Sequence, residues 1–189
     1  MTDSETDRFL QQAGDGDENA LFSLYSEFKD AVFHFALSIT GNYHDSQDIL
    51  QDTFVRIRTG SYRSGNAKAF IFTITRNLAL SCLRAKKHFS DADGEEPTAE
   101  SDGMQQRVEL AQMLGALSPA EQQIVLLHVL GGFRHKEISG LLSMPAGTVM
   151  WKYHRAIGKL KKSMDERGCI YEEEKAVRDA QGSGSVWHA

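Results

Sequence analysis

Apolar residues recur every three or four positions through most of the chain, the spacing of amphipathic helices rather than the alternation of strands. Leu21, Leu24, Tyr25, Phe28, Val32, Phe35 and Ile39 define one helix face. Gly41 and Asn42 stop it, and Asp45 or Ser46 is placed to cap the next helix, which buries Ile49, Leu50, Phe54 and Ile57. A polar loop with Gly60, Ser61, Ser64, Gly65 and Asn66 follows. The helix after it carries Phe70, Ile71, Ile74, Leu78 and Leu83 on its apolar side and ends in the basic run Arg84, Lys86, Lys87.

A second series of helices begins at Val108, Leu110, Met113, Leu114 and Leu117. In SPAEQ, Ser118 is a cap, Pro119 fits the first turn and Glu121 completes a capping box. That helix runs through Ile124, Val125, Leu127, Val129 and Leu130 to the stop Gly131-Gly132. A short helix from His135 to Leu142, the turn SMPAG and a last helix from about Ala146 to Met164 make a helix-turn-helix pattern. The fold class is therefore all-α, as two small helical domains. Between them, residues 89–104 hold almost no apolar side chain, which predicts a flexible acidic linker. Residues 1–18 are read as a flexible acidic N-terminus and 166–189 as a tail.

Charge sharpens this division. The net charge is −5, yet residues 21–88 carry nine bases against five acids and residues 104–162 eight against three. The segments around these blocks are acidic, with six acids and no base in 89–103. Binding to a polyanion follows the local patch, so nucleic acid remains a candidate partner despite a pI near 5.8. The stretch AGTVMWKYHRAIGKLKK concentrates five Lys or Arg on the last helix, with Thr148, Lys152 and Arg155 on one face and Val149, Tyr153, Ala156 and Leu160 opposite. A helix in a major groove uses such a face; an ordinary solvated helix end also favours Lys and Arg.

The whole arrangement resembles the bacterial extracytoplasmic-function (ECF) sigma factors, the two-domain promoter-specificity subunits of RNA polymerase. The likeness runs from about Asn19 to Met164. DSQDILQDTFVRI is similar to the family's polymerase-docking helix, AFIFTITRNLALSCLR to its promoter-melting helix, and LGALSPAEQQIVLLHVLGGFRHKEISGLLSMPAGTVMWKYHRA to its final domain. The resemblance implies a sigma region 2 bundle over 19–88, and a sigma region 4 helix-turn-helix domain over 105–165.

It also implies roles. Asp45, Asp48, Gln51 and Asp52 would dock on core RNA polymerase, although helix capping accounts for such acids equally well. Gln47 stands where the family usually has an acid. Tyr62, Arg63 and Asn66 would hold a base of the minus-ten element flipped from the melted strand. Lys68, Arg76, Asn77, Arg84, Lys86 and Lys87 would track phosphates, with Asn77 alternatively satisfying backbone groups between helices. Phe70 replaces the family's usual Trp. In the minus-thirty-five element, Thr148, Lys152 and Arg155 are the leading base contacts, joined by Trp151 and His154. Arg134, Lys136, Lys159 and Lys162 would hold the backbone. Met150 and Trp151 replace a Lys and a small polar residue. Trp151 is open to three readings: a thymine-methyl contact, a partner contact, or a seal against a neighbouring helix.

The implied partners are core RNA polymerase, double-stranded and melted promoter DNA, and an anti-sigma factor, potentially membrane-anchored. The acidic linker is placed to shield the basic faces. The main alternative is a sigma-like decoy that binds an anti-sigma factor without productive promoter recognition; an ordinary helix-turn-helix repressor would need no docking or melting helix. No enzyme is expected: seven histidines show no HExxH spacing, and no nucleophile motif or phosphate loop is present. No metal or cofactor is expected, His128 reads as a partly buried core residue, and Cys82 and Cys169 form no framework. With no signal peptide or membrane span in view, the expected location is cytoplasmic.

Overall fold

The computed structural model describes residues 1–60, 62–89 and 114–163, with the side chains of residues 87–89 excepted. The predicted acidic linker, the 166–189 tail with Cys169, most of the 108–114 stretch and the Lys87 side chain lie outside these residues. Seven helices and no strand are found among the described residues.

Four helices form the N-terminal unit: α1 (Asp3–Gly14), α2 (Glu18–Thr40), α3 (Tyr43–Thr59) and α4 (Ala67–Phe89). The first corrects the expectation of a flexible N-terminus. Thr2 and Glu5 form a capping box, in which the Glu5 carboxylate accepts the Thr2 N–H at 2.8 Å. Behind this cap, Thr6, Leu10 and Ala13 lie one helical turn apart and are completely buried. Six acids in the first twenty residues dominate the composition, but five of them are exposed and only Asp7 is half-buried.

Helix α2 runs through the centre of this unit, with α1, α3 and α4 around it. Asp17 caps its start and Gly41, at φ 66°, ends it. Leu24, Phe28, Val32 and Phe35 are buried as their spacing predicts, whereas Tyr25 lies at the surface with its ring edge-on to Phe54. The cap of α3 is Asn42, whose Oδ1 accepts the Asp45 N–H at 3.0 Å. Asp45 and Ser46 sit inside the first turn instead, and Ser46 is buried with its hydroxyl donating to the Asn42 carbonyl. The α3–α4 seam includes a buried hydroxyl pair, Thr53 and Thr75, 3.3 Å apart, each also bonded to its own helix backbone. Each hydroxyl donates to a carbonyl one turn back, Thr53 to Ile49 and Thr75 to Ile71, which makes their burial tolerable.

The C-terminal unit contains α5 (Pro119–Val129), α6 (His135–Leu142) and α7, helical over 146–163. Between α6 and α7, Ser143 takes a left-handed conformation at φ 54°, and the Met144 N–H closes the turn on the Ser139 carbonyl at 3.0 Å. This is a helix-turn-helix. Val149 and Ala156 anchor α7 on its inner side.

The two units are not separate bodies. Helix α5 packs along α2, and Phe133 inserts against Phe72 at 5.2 Å between ring centroids, perpendicular to it. Phe72 in turn meets Phe35 at 5.5 Å, so one aromatic file crosses both cores. All three rings are buried to within 2%.

Candidate nucleic-acid interface

Helix α7 presents its basic side outward. Thr148 and Lys152 are half-buried at the edge, while Met150, Trp151, His154 and Arg155 are exposed. Trp151 is 57% exposed, which removes the reading of it as a seal against a neighbouring helix. Its ring lies under the Arg155 guanidinium, 5.2 Å from ring centroid to Cζ, with Lys152 Nζ at 6.0 Å. The far end of α7 differs. Lys159 turns back to Glu121 at 2.7 Å, while Lys162 stays at the surface. Arg134 and Lys136, at the start of α6, are exposed.

Glu121 organises the inner edge of this face. Its carboxylate is 3% exposed and accepts from the Ser118 N–H and hydroxyl at 2.8 and 2.9 Å and from Lys159, and it forms a looser ion pair with Arg155 Nε at 3.5 Å. Burial pushes its pKa up, but the Lys159 and Ser118 hydrogen bonds outweigh burial and hold it at about 2. Behind α7, His128 and His135 stack at 4.9 Å and both rings touch Tyr153. His128 is half-buried, as expected, with Nδ1 at 2.8 Å from the Phe133 carbonyl. Burial, with His128 and His154 nearby, keeps His135 below the ordinary imidazole range. Among the described residues no group of three His, Cys, Asp or Glu side chains is placed to hold a metal.

The loop before α4 is engaged from outside its own unit and from α1. Tyr62 packs on Phe70 at 5.1 Å and donates its hydroxyl to Asp7; burial first, and this carboxylate second, raise its pKa. Asp7 also accepts the Ala67 N–H at 3.2 Å. The Arg63 carbonyl accepts from Gln11 at 2.7 Å, and its side chain is exposed. Lys68 pairs with Asp3 at 2.8 Å. Asn66 caps α4 through Oδ1 and donates through Nδ2 to Glu137 of α6 at 3.0 Å. A recess of about 270 Å³ lies between Asp3, Asp7, Gly65, Asn66, Ala67 and Lys68. Further along α4, Arg76 is half-buried, whereas Asn77 and Arg84 are exposed. Exposure of Asn77 argues against the alternative in which it satisfies backbone groups between helices.

On α3 the predicted docking set divides. Asp48, Gln51 and Asp52 are exposed on one face, continued by Val55 at 50% exposure. Asp45 is turned toward α4, where it pairs with Lys86 at 2.8 Å and lies against Cys82. Burial, then Asp45, raise the Cys82 thiol above its ordinary range. Asp3, Asp7, Gln11 and Glu137 are the site neighbours that the sequence did not disclose. They meet their partners across 52 to 71 positions, beyond the reach of any local spacing rule.

The chain matches the sigma-70 region 2 family model over residues 24–89 and the sigma-70 region 4 model over residues 107–160. It is 28% identical over 162 residues to the ECF RNA polymerase sigma factor SigE of Mycolicibacterium smegmatis, covering 77% of this chain and 63% of SigE. It is 30% identical over 135 residues to EcfG of Rhodopseudomonas palustris, covering 67% of this chain and 75% of EcfG. Among solved structures, CnrH in complex with the cytosolic domain of CnrY aligns with a TM-score of 0.58 at 21% identity, covering 86% of this chain and 98% of CnrH. Both family models match in the expected order; the region 2 match takes in most of α2 with α3 and α4 but not α1, and the region 4 match takes in α5, α6 and most of α7. The chain belongs to the ECF RNA polymerase sigma factor family.

Proposed function

We propose that this protein joins core RNA polymerase and directs promoter-specific initiation, melting the minus-ten element with its N-terminal unit and reading the minus-thirty-five element with α7. The observation that carries this reading is the outward face of α7. On the second helix of a helix-turn-helix, the exposed Trp151 and Arg155 share one side with the half-buried Thr148 and Lys152, flanked by Arg134 and Lys136 for phosphates. Asp48, Gln51 and Asp52 on α3 supply a polar, acidic face for the polymerase. Its role is that of an initiation factor, not an enzyme, and its place of action is the cytoplasm. No helix among the described residues is long and apolar enough to cross a membrane.

Lys68, Arg76, Asn77 and Arg84 are the groups of α4 we assign to the melted strand, with Arg63 and Asn66 at the base pocket. Lys68 acts there only after leaving Asp3, and Lys86 and Tyr62 join only after leaving Asp45 and Asp7. An anti-sigma factor is the expected regulator, on the model of RpoE of Bartonella quintana, a sigma factor solved with the anti-sigma factor NepR. Run-off transcription with core polymerase on a randomised promoter pool tests the proposal. Enrichment of sequences at two spaced elements is the expected result. Polymerase binding without any promoter-dependent transcript would overturn it in favour of the decoy.

A further inference from the structure

Three observations meet at Arg155. Its guanidinium lies over the Trp151 ring, four residues back on the same helix, at 5.2 Å. Its Nε end faces the buried Glu121 carboxylate at 3.5 Å. The side chain is nevertheless 54% exposed on the outward face of α7. An arginine held on one side by an aromatic face and at its Nε end by a carboxylate has few rotamers left. The terminal fork of two nitrogens, opposite Nε, is the part that matches guanine O6 and N7 in a major groove.

We propose that Trp151 is a positioning residue for promoter reading: with Glu121 it pre-sets Arg155 to read one guanine of the minus-thirty-five element. The inference rests on α7 being the promoter-reading helix. Glu121 is itself anchored by Ser118 and Lys159, so the carboxylate side of the clamp is fixed by the fold. Trp151 is the adjustable side. Arginine loses substantial rotamer freedom on docking, and ordering it beforehand reduces that loss. The ring brings no charge, so it acts on which base is chosen and not on the counterion-dependent part of binding.

The test is selection of transcripts by core polymerase carrying the full chain, from promoters randomised across the minus-thirty-five element. Arg155→Ala should erase a guanine preference at one base pair, by about 5- to 150-fold. Trp151→Ala should weaken the preference at that same base pair several-fold, and Trp151→Phe should restore most of it. The double variant should lose no more than Arg155→Ala alone. The salt slope of promoter binding should be the same for Trp151→Ala as for the parent chain, whereas loss of a phosphate-binding lysine would reduce it. A loss at a different base pair, or an additive double variant, would overturn the positioning role while leaving α7 as the reader. If Arg155→Ala leaves selection across the whole element unchanged, the promoter-reading role of this face fails, and the proposal fails with it.

Discussion

Glu121 shows how one side chain serves both fold and surface. It closes the start of α5 through Ser118 and ties α7 to α5 through Lys159 and Arg155. Its pKa is about 2 in the fold against 4.5 for an ordinary glutamate, so the folded state favours the charged form. The stabilisation is therefore complete above about pH 4.5 and is lost as pH falls toward 2, with an upper bound on the order of 3 kcal/mol. Glu121→Gln should lower stability at pH 7 by about 2 kcal/mol and flatten the acid limb of urea midpoints measured between pH 5 and 3. An unchanged acid limb would remove Glu121 as its source. The capping box was legible because Ser118 and Glu121 are three apart; the Lys159 pairing was not, because it spans 38 residues. Lys159, read from the sequence as a phosphate contact, has a structural partner. Lys159→Ala should therefore lower stability, measured by urea unfolding, by more than the roughly 0.5 kcal/mol typical of surface positions.

At the scale of elements, the apolar period located α2 to α7, because each has a long buried face or a clear cap and stop. It failed at α1, whose buried face is only Thr6, Leu10 and Ala13 amid acids that composition weighs more heavily. In α4 it predicted Ile71 but passed over Phe72, Thr75 and Ala79. Phe72 faces a second unit, a direction no single-helix pattern contains. If α1 is part of the core, Leu10→Ala should destabilise the fold by about 2–5 kcal/mol, the usual range for a fully buried leucine, measured by equilibrium unfolding. A change below about 0.5 kcal/mol, typical of surface positions, would return residues 1–14 to the status of an appendage. For α3, the structure separates Asp45 from its neighbours. Asp48→Lys together with Asp52→Lys should weaken polymerase binding in a salt-dependent way with little change in thermal midpoint. Asp45→Asn should do the reverse, because its partner is Lys86 within the same unit.

The whole molecule poses a geometric problem that its parts do not. Asn66, in the minus-ten loop, and Glu137, beside the phosphate-binding end of the helix-turn-helix, are in hydrogen-bond contact at 3.0 Å. On the proposed assignment, the promoter elements they would serve lie roughly 25 base-pair steps apart, on the order of 85 Å along B-form DNA at about 3.4 Å per step. If that assignment holds, this arrangement is a closed one, and the two units would have to part before both elements are engaged. The acids that occupy the loop, Asp3, Asp7 and Glu137, stand where DNA phosphates and base edges would approach. Of these, Glu137 leaves with the C-terminal unit. The aromatic contact of Phe72 with Phe133 is the apolar part of the same closure, so separation exposes two large rings unless polymerase covers them. Joining Asn66→Cys to Glu137→Cys with a short thiol cross-linker, in a background carrying Cys82→Ser and Cys169→Ser, should preserve helicity. It should also abolish the transcription that the uncross-linked double-cysteine chain retains from a promoter bearing both elements, with activity returning to that chain's level when a cleavable linker is cut. Full transcription from the intact cross-linked chain would show instead that the units can remain joined at this point while both promoter elements are read.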